Sequence, residues 1–227
     1  VVYLFIVNKP SDINQIPDGE EITDNSEDTL GVDWTIQDLL KDRNFWILSL
    51  VFAIQFCSMM GILSHLTFFS EGAGWSQAWG AFIFSMYAWP AMFSKVFFGW
   101  LVENKIDARL AVSIAVLIQA IATLLMIFVE SPEQMVVLVM IFGFGGGSAL
   151  PLSNILFNQA YTNKSFGKAR GAAQPFISIF QISGTLVAAR MFDVFGNYEL
   201  AFLTLGFILI VPLIAIWFLR EEPKLAS

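Results

Sequence analysis

Apolar residues are gathered into six long runs, at about 45–69, 78–102, 110–129, 135–160, 171–192 and 199–219. Short polar breaks separate them, such as Glu71-Gly72-Ala73-Gly74 and Glu130-Ser131-Pro132-Glu133. Each run is near the ~20 residues a helix needs to cross a hydrocarbon core. Lipid offers the backbone no hydrogen-bond partner, so each N–H and C=O must be paired within its own segment. The pattern therefore predicts an all-α membrane protein, a six-transmembrane-helix bundle over residues 45–220. Residues 8–44 read as a polar linker, and 221–227 as a tail on the same side of the membrane. Val1–Val7 is apolar but too short to span, and reads as the end of a preceding transmembrane helix.

Composition agrees with a lipid environment: 56% of residues are hydrophobic and 14% charged. The surplus apolar surface has to face something other than water. The net charge of −7 comes largely from the linker, because ten of the nineteen acids lie between Asp12 and Asp42. No basic patch supports nucleic-acid binding. The single cysteine, Cys57, excludes an intrachain disulfide and says nothing of compartment.

Lys and Arg set the orientation. Ten of them (Lys9, Lys41, Arg43, Lys105, Arg109, Lys164, Lys168, Arg170, Arg220 and Lys224) fall on the side of residues 8–44, and none on the other. That side is expected to be cytoplasmic, in a plasma or inner membrane. The remaining two cations, Lys95 and Arg190, fall within apolar runs.

After the second run comes Gly99-Trp100-Leu101-Val102-Glu103-Asn104-Lys105-Ile106-Asp107-Ala108-Arg109. It resembles the cytoplasmic signature of the major facilitator superfamily: a Gly, an acid four residues on, then basic residues. Glu103 stands where that acid is usually Asp. The lead Asp33–Trp46, the segment Gly143–Leu152 with its glycine cluster, Ser165–Gly171 and Asp193–Tyr198 fit the same family. Within it they look most like the monocarboxylate and oxalate:formate branch. The resemblance implies the C-terminal half of a twelve-helix transporter. An N-terminal six-helix half of the same chain would then be missing. The substrate site would lie between two such halves, and Gly99, Glu103, Asp107 and Arg109 would govern conformation.

Lys95 is the sharpest chemical feature. A cation within an apolar run is costly and tends to face the protein interior or water. Ala81, Ala88, Ala91 and Gly99 share its face and leave room for helix packing or a cavity. It is a candidate substrate ligand, with snorkelling to the interface and a structural ion pair as alternatives. In the fifth run Gln174, Ser178, Gln181 and Thr185 are spaced four, three and four apart and share one face. Such a stripe either lines a pore or bonds a neighbouring helix. Asn154 and Asn158 form a similar face with Gly147 and Pro151 on the fourth. Arg190 is expected to pair with Asp193. His65, the only histidine, is a packing residue or a proton-linked, substrate-contacting one. It is no metal site, which needs several ligands, and nothing in the chain calls for a cofactor.

An intramembrane enzyme would need paired acids, a Ser–His pair or a metal cluster; the helix interiors hold no carboxylate and one histidine, so that class is not supported. The glycine cluster lacks the Lys-Ser/Thr of a phosphate loop. Two readings remain: a secondary transporter of a small organic anion by alternating access, or a receptor or scaffold of the same fold that does not transport. Proton coupling and exchange both stay open, and so does another small solute.

Overall fold

A computed structural model describes residues 33–220 of the chain, and the side chains of all of these but 162–164. The expected helix stump, most of the linker and the tail lie outside the described residues. Among the described residues there is no strand. Six helical spans are long and apolar enough to cross a membrane: Arg43–Gly72, Gln77–Asn104, Ala108–Phe128, Pro132–Tyr161, Ser165–Phe195 and Glu199–Phe218. Five of the expected runs begin within three residues of these spans, but the fifth span starts at Ser165 rather than 171. Phe166–Arg170 is helical although too polar for hydropathy to include.

The first four spans each begin at a side-chain cap. A short helix, Ile36–Lys41, leads in, capped by Thr35 and Asp38, whose side chains bond each other's backbone N–H. The Thr35 hydroxyl donates to the Asp38 carboxyl and holds it below the usual carboxylate range. Asp42 then caps the first span by accepting from the Phe45 N–H at 3.2 Å. Ser76, Asp107 and Ser131 cap the second, third and fourth spans in the same way. Gly74 and Gly196, with φ of 77° and 73°, take the left-handed turns that lead out of the first and fifth spans.

Between the fourth and fifth spans the helical bonding continues unbroken, over Ala149–Phe195. The ribbon nevertheless reverses. The Arg170 Nε donates to the Asn154 Oδ1 at 3.3 Å across sixteen residues, which a straight helix would hold ~24 Å apart. The lead segment is fastened to this reversal. The buried Trp34 donates its N–H to the Ser165 hydroxyl at 2.9 Å and meets the Tyr161 ring edge-on. Asp33 pairs with Lys168 at 2.5 Å, and Tyr161 donates to the Asp42 carboxylate. At the same end, Asn44 donates to the Arg220 carbonyl at 3.1 Å and accepts from its N–H at 3.0 Å. The first and last spans are thereby joined. We call this the basic end, and the opposite one, with Glu71, Glu130, Glu133, Asp193 and Glu199, the acidic end.

Helices in lipid gain little from burying apolar side chains against each other, so they associate through close van der Waals contact. Glycines provide it here. A Cβ on Gly184 of the fifth span would overlap the Cys57 carbonyl of the first. One on Gly147 of the fourth would overlap Ala91 of the second, and one on Gly145 would stand 2.6 Å from the Ala115 carbonyl of the third. The first span ends up at the centre, with 72% of its most apolar stretch buried. The second and fifth stay the most open, at 22% and 17%.

Gly184→Ala is therefore expected to destabilise the bundle by ~1–3 kcal/mol, the usual cost of overpacking. Gly171→Ala, on the same span with nothing within 4 Å of the added carbon, should be neutral or slightly stabilising. Denaturant unfolding in detergent micelles checks this; equal midpoints for the two variants would refute the crossing.

Candidate functional site

The two open spans carry most of the polar side chains singled out from the sequence. On the fifth span Gln174 is exposed, while Ser178, Gln181 and Thr185 are half-buried. Gln174 donates to the Ser178 hydroxyl at 3.2 Å. At the acidic end of this stripe Thr185 accepts from Ser64 of the first span at 3.1 Å. Ser64 itself sits at a break in the first span, where the helix Arg43–Leu63 gives way to Leu66–Gly72. At the basic end Asn154, exposed on the fourth span, is drawn in through its bond to Arg170. Pro175 lies within the stripe's helix and leaves the Gly171 carbonyl without its usual N–H partner.

Lys95 is exposed on the second span, and no ion pair reaches it among the described residues. Of the small residues on its face, Ala81 and Ala88 are exposed and Gly99 has open space around it. Ala91 takes the first of the two uses expected of that face. It is buried against Gly147, so it serves helix packing. Among the described residues no hydrogen bond joins Lys95 to the stripe.

His65 stands at the break in the first span, 8% exposed. Its Nε2 lies 3.1 Å from the Thr185 carbonyl and its Nδ1 3.0 Å from the Tyr198 hydroxyl. A carbonyl oxygen only accepts, so Nε2 carries the proton, and in the neutral ring Nδ1 accepts from Tyr198. One imidazole thus fastens the first, fifth and sixth spans together. Beside it opens a cavity of about 390 Å³ lined by His65, Phe68, Glu71, Phe192, Asp193 and Tyr198. Burial, then the Asp193 carboxylate, push the Tyr198 phenol up. Asp193 does not form the expected pair with Arg190: no ion pair joins them among the described residues.

Of the signature residues, Asp107 accepts from the Arg109 N–H at 2.6 Å and so caps the third span. Arg109 lines a small cavity of about 70 Å³ with Asp107, Gln159 and Arg220. Glu103 is exposed, and Gly99 lies one turn beyond Lys95. Among the described residues no group of three or more His, Cys, Asp or Glu is placed to hold a metal.

Sequence reading missed Ser64, Tyr198 and Arg170 as members of these clusters. Arg170 was within reach: it lies four residues before Gln174 and extends the stripe's spacing by one step.

Six antiparallel spans that cross at glycines, with a polar stripe on the least covered one, make an all-helical membrane bundle of the kind found in major facilitator proteins. The chain matches the Major Facilitator Superfamily over residues 1–129 and again over 74–227, and belongs to that family. No curated protein matches it. Its fold is similar to that of the POT family transporter PepTSo, with a TM-score of 0.67 at 18% identity over 82% of this chain and 39% of that one. It is also similar to tetrameric PepTSo2, with a TM-score of 0.68 at 15% identity over 77% of this chain and 40% of that one. A bacterial homologue of the human lysosomal transporter Spinster, in an inward-facing and unoccupied conformation, gives a TM-score of 0.56 at 17% identity, over 86% and 45%. The chain therefore spans less than half the length of each of these proteins.

The histidine clasp carries its own test. Tyr198→Phe removes a single hydrogen bond, and His65→Phe removes two. A double-mutant cycle on unfolding free energy should show a coupling of ~1 kcal/mol between them. A coupling near zero would mean the two side chains do not meet.

Proposed function

We propose that this chain forms one bundle of a secondary transporter that moves a small organic anion by alternating access. Lys95 is the observation that carries the substrate class. It is a cation on an open span of a major facilitator bundle, without an acid partner among the described residues. Such a charge at membrane depth costs about 2.5–3.5 kcal/mol on insertion scales unless something compensates it. A carboxylate arriving with the substrate supplies that compensation. The sequence resemblance to the monocarboxylate and oxalate:formate branch supports the same class. A second six-helix bundle of the same native polypeptide would cover the second and fifth spans. The cavity would then lie between the bundles, with Gln174, Ser178, Gln181, His65 and Asn154 on this wall. Gly99, Glu103, Asp107 and Arg109, at the basic end, are assigned to the conformational equilibrium.

Binding of acetate, lactate, oxalate and succinate to the full native polypeptide tests the substrate class. At least one should bind, and Lys95→Gln should weaken that binding tenfold or more while the protein still folds and inserts. Lys95→Arg should retain part of it, since the charge stays but the geometry changes. Unchanged affinity in Lys95→Gln would make Lys95 a snorkelling residue; binding of no carboxylate would favour another solute or a protein that does not transport.

Orientation has a separate test. Ten basic residues against none support a cytoplasmic basic end. In a Cys57→Ser background, cysteines at Ser131 and Asn197 should react with an impermeant thiol reagent added to intact cells, and one at Lys105 should not. Labelling of the Lys105 variant from outside would reverse the topology.

A further inference from the structure

Arg170 is the one cation on the polar stripe. Residues 170, 174, 178, 181 and 185 fall within ~80° of arc on the fifth span. Its neighbour two residues away, Lys168, is neutralised by Asp33 at 2.5 Å. Arg170 has no such partner among the described residues. Its Nε is committed to the Asn154 carbonyl oxygen at 3.3 Å, and its guanidinium lies over the Phe157 ring, 5.6 Å from the centroid. Nη1 is buried and has no hydrogen-bond partner among the described residues. A guanidinium carries five N–H donors in a rigid plane. One edge is held by Asn154 and one face by Phe157, so the geometry is set while the donors of Nη1 stay unsatisfied among the described residues. Buried donors of a charged group are expensive to leave unpaired, and a planar fork of this kind matches a carboxylate through two parallel bonds.

We propose that Arg170 receives the carboxylate of the transported anion at the basic-end mouth of the stripe, with Asn154 and Phe157 as its positioning residues. The inference rests on the organic-anion reading above and adds a second contact point to it. No covalent step is involved. A headgroup phosphate offers the same chemistry as a solute carboxylate, and the experiment separates the two sources.

The test uses the full native polypeptide in phosphatidylcholine nanodiscs, with the same four carboxylates. Arg170→Gln should weaken binding tenfold or more, and Arg170→Lys should recover only part of it. Asn154→Asp is the decisive variant. It keeps the acceptor for Nε and adds a permanent counter-charge, so it should raise or preserve the unfolding temperature yet weaken carboxylate binding as severely as Arg170→Gln. A merely structural role would move stability and leave affinity alone. In parallel, modification of Arg170 by phenylglyoxal, mapped by mass spectrometry, should be slowed by a bound carboxylate.

If Lys95→Gln loses binding while Arg170→Gln and Asn154→Asp do not, the inference fails and the organic-anion reading stands. If wild type binds no carboxylate, both fail. If Arg170 is protected only when phosphatidylglycerol is added to the discs, its partner is a lipid headgroup and the assignment to the solute is overturned. Slow modification without any added anion, unchanged by all of them, would show that another part of the native polypeptide occupies the guanidinium, and would overturn it as well.

Discussion

The fold depends on how closely backbones approach at a few glycines. Where the fifth span crosses the first, Gly184 leaves no room even for a methyl group beside the Cys57 carbonyl. Gly61 continues the same contact one turn on, 2.8 Å from the Gly184 carbonyl for an added Cβ. Lipid is as apolar as leucine, so the helices cannot rely on expelling water to find one another. Shape has to do it, and the glycines define the shape. Because the first span is pulled into this contact, its polar residues Asn44, Gln55 and Ser58 are buried. Gln55 meets Gln119 of the third span at 3.3 Å, an amide contact that would be costly to leave unmade in hydrocarbon.

That central placement has a corollary for the surface. Spans packed around the first have their apolar faces split between protein and the outside. The second and fifth are left with open flanks, and these differ in character. The second span presents Trp89, Phe93, Val96 and Phe97 around one lysine. The fifth presents exposed Gln174 and half-buried Ser178, Gln181 and Thr185 in a line, beside exposed Ile179, Ile182 and Leu186. A bundle meant only for lipid has no use for such a line, because each exposed amide would face hydrocarbon unpaired. The stripe is therefore the strongest sign that this flank meets water, a solute or more protein.

Much of this was legible beforehand. The runs that became spans are long, apolar and separated by cap and turn residues, so hydropathy located them closely. The stripe was legible because Gln and Ser are conspicuous among Ile, Phe and Val, and their spacing gives a face. Spacing does not say what the face meets. Ala91 shares an arc with Lys95 but turns toward Gly147, and only the position of the fourth span decides that. Arg190 and Asp193 have the spacing of a helical pair, yet Asp193 lies by Tyr198 instead, because the first and sixth spans close over that end. Arg170 was hidden for another reason. Hydropathy ends a helix where polar residues begin, whereas the backbone continues as helix through the reversal, and it carries the arginine up onto the stripe.

The reciprocal bonds between Asn44 and Arg220 have a mechanical meaning. They tie the last span to the central first one at the basic end. Joined there, the two cannot splay apart like cards in a hand. Torque applied at any one span is shared by its neighbours, so the bundle turns as one piece or bends within individual spans. The places already weakened for bending are the break at Ser64–His65, which the imidazole splints, and the Pro175 turn of the fifth span, one helical turn from Arg170.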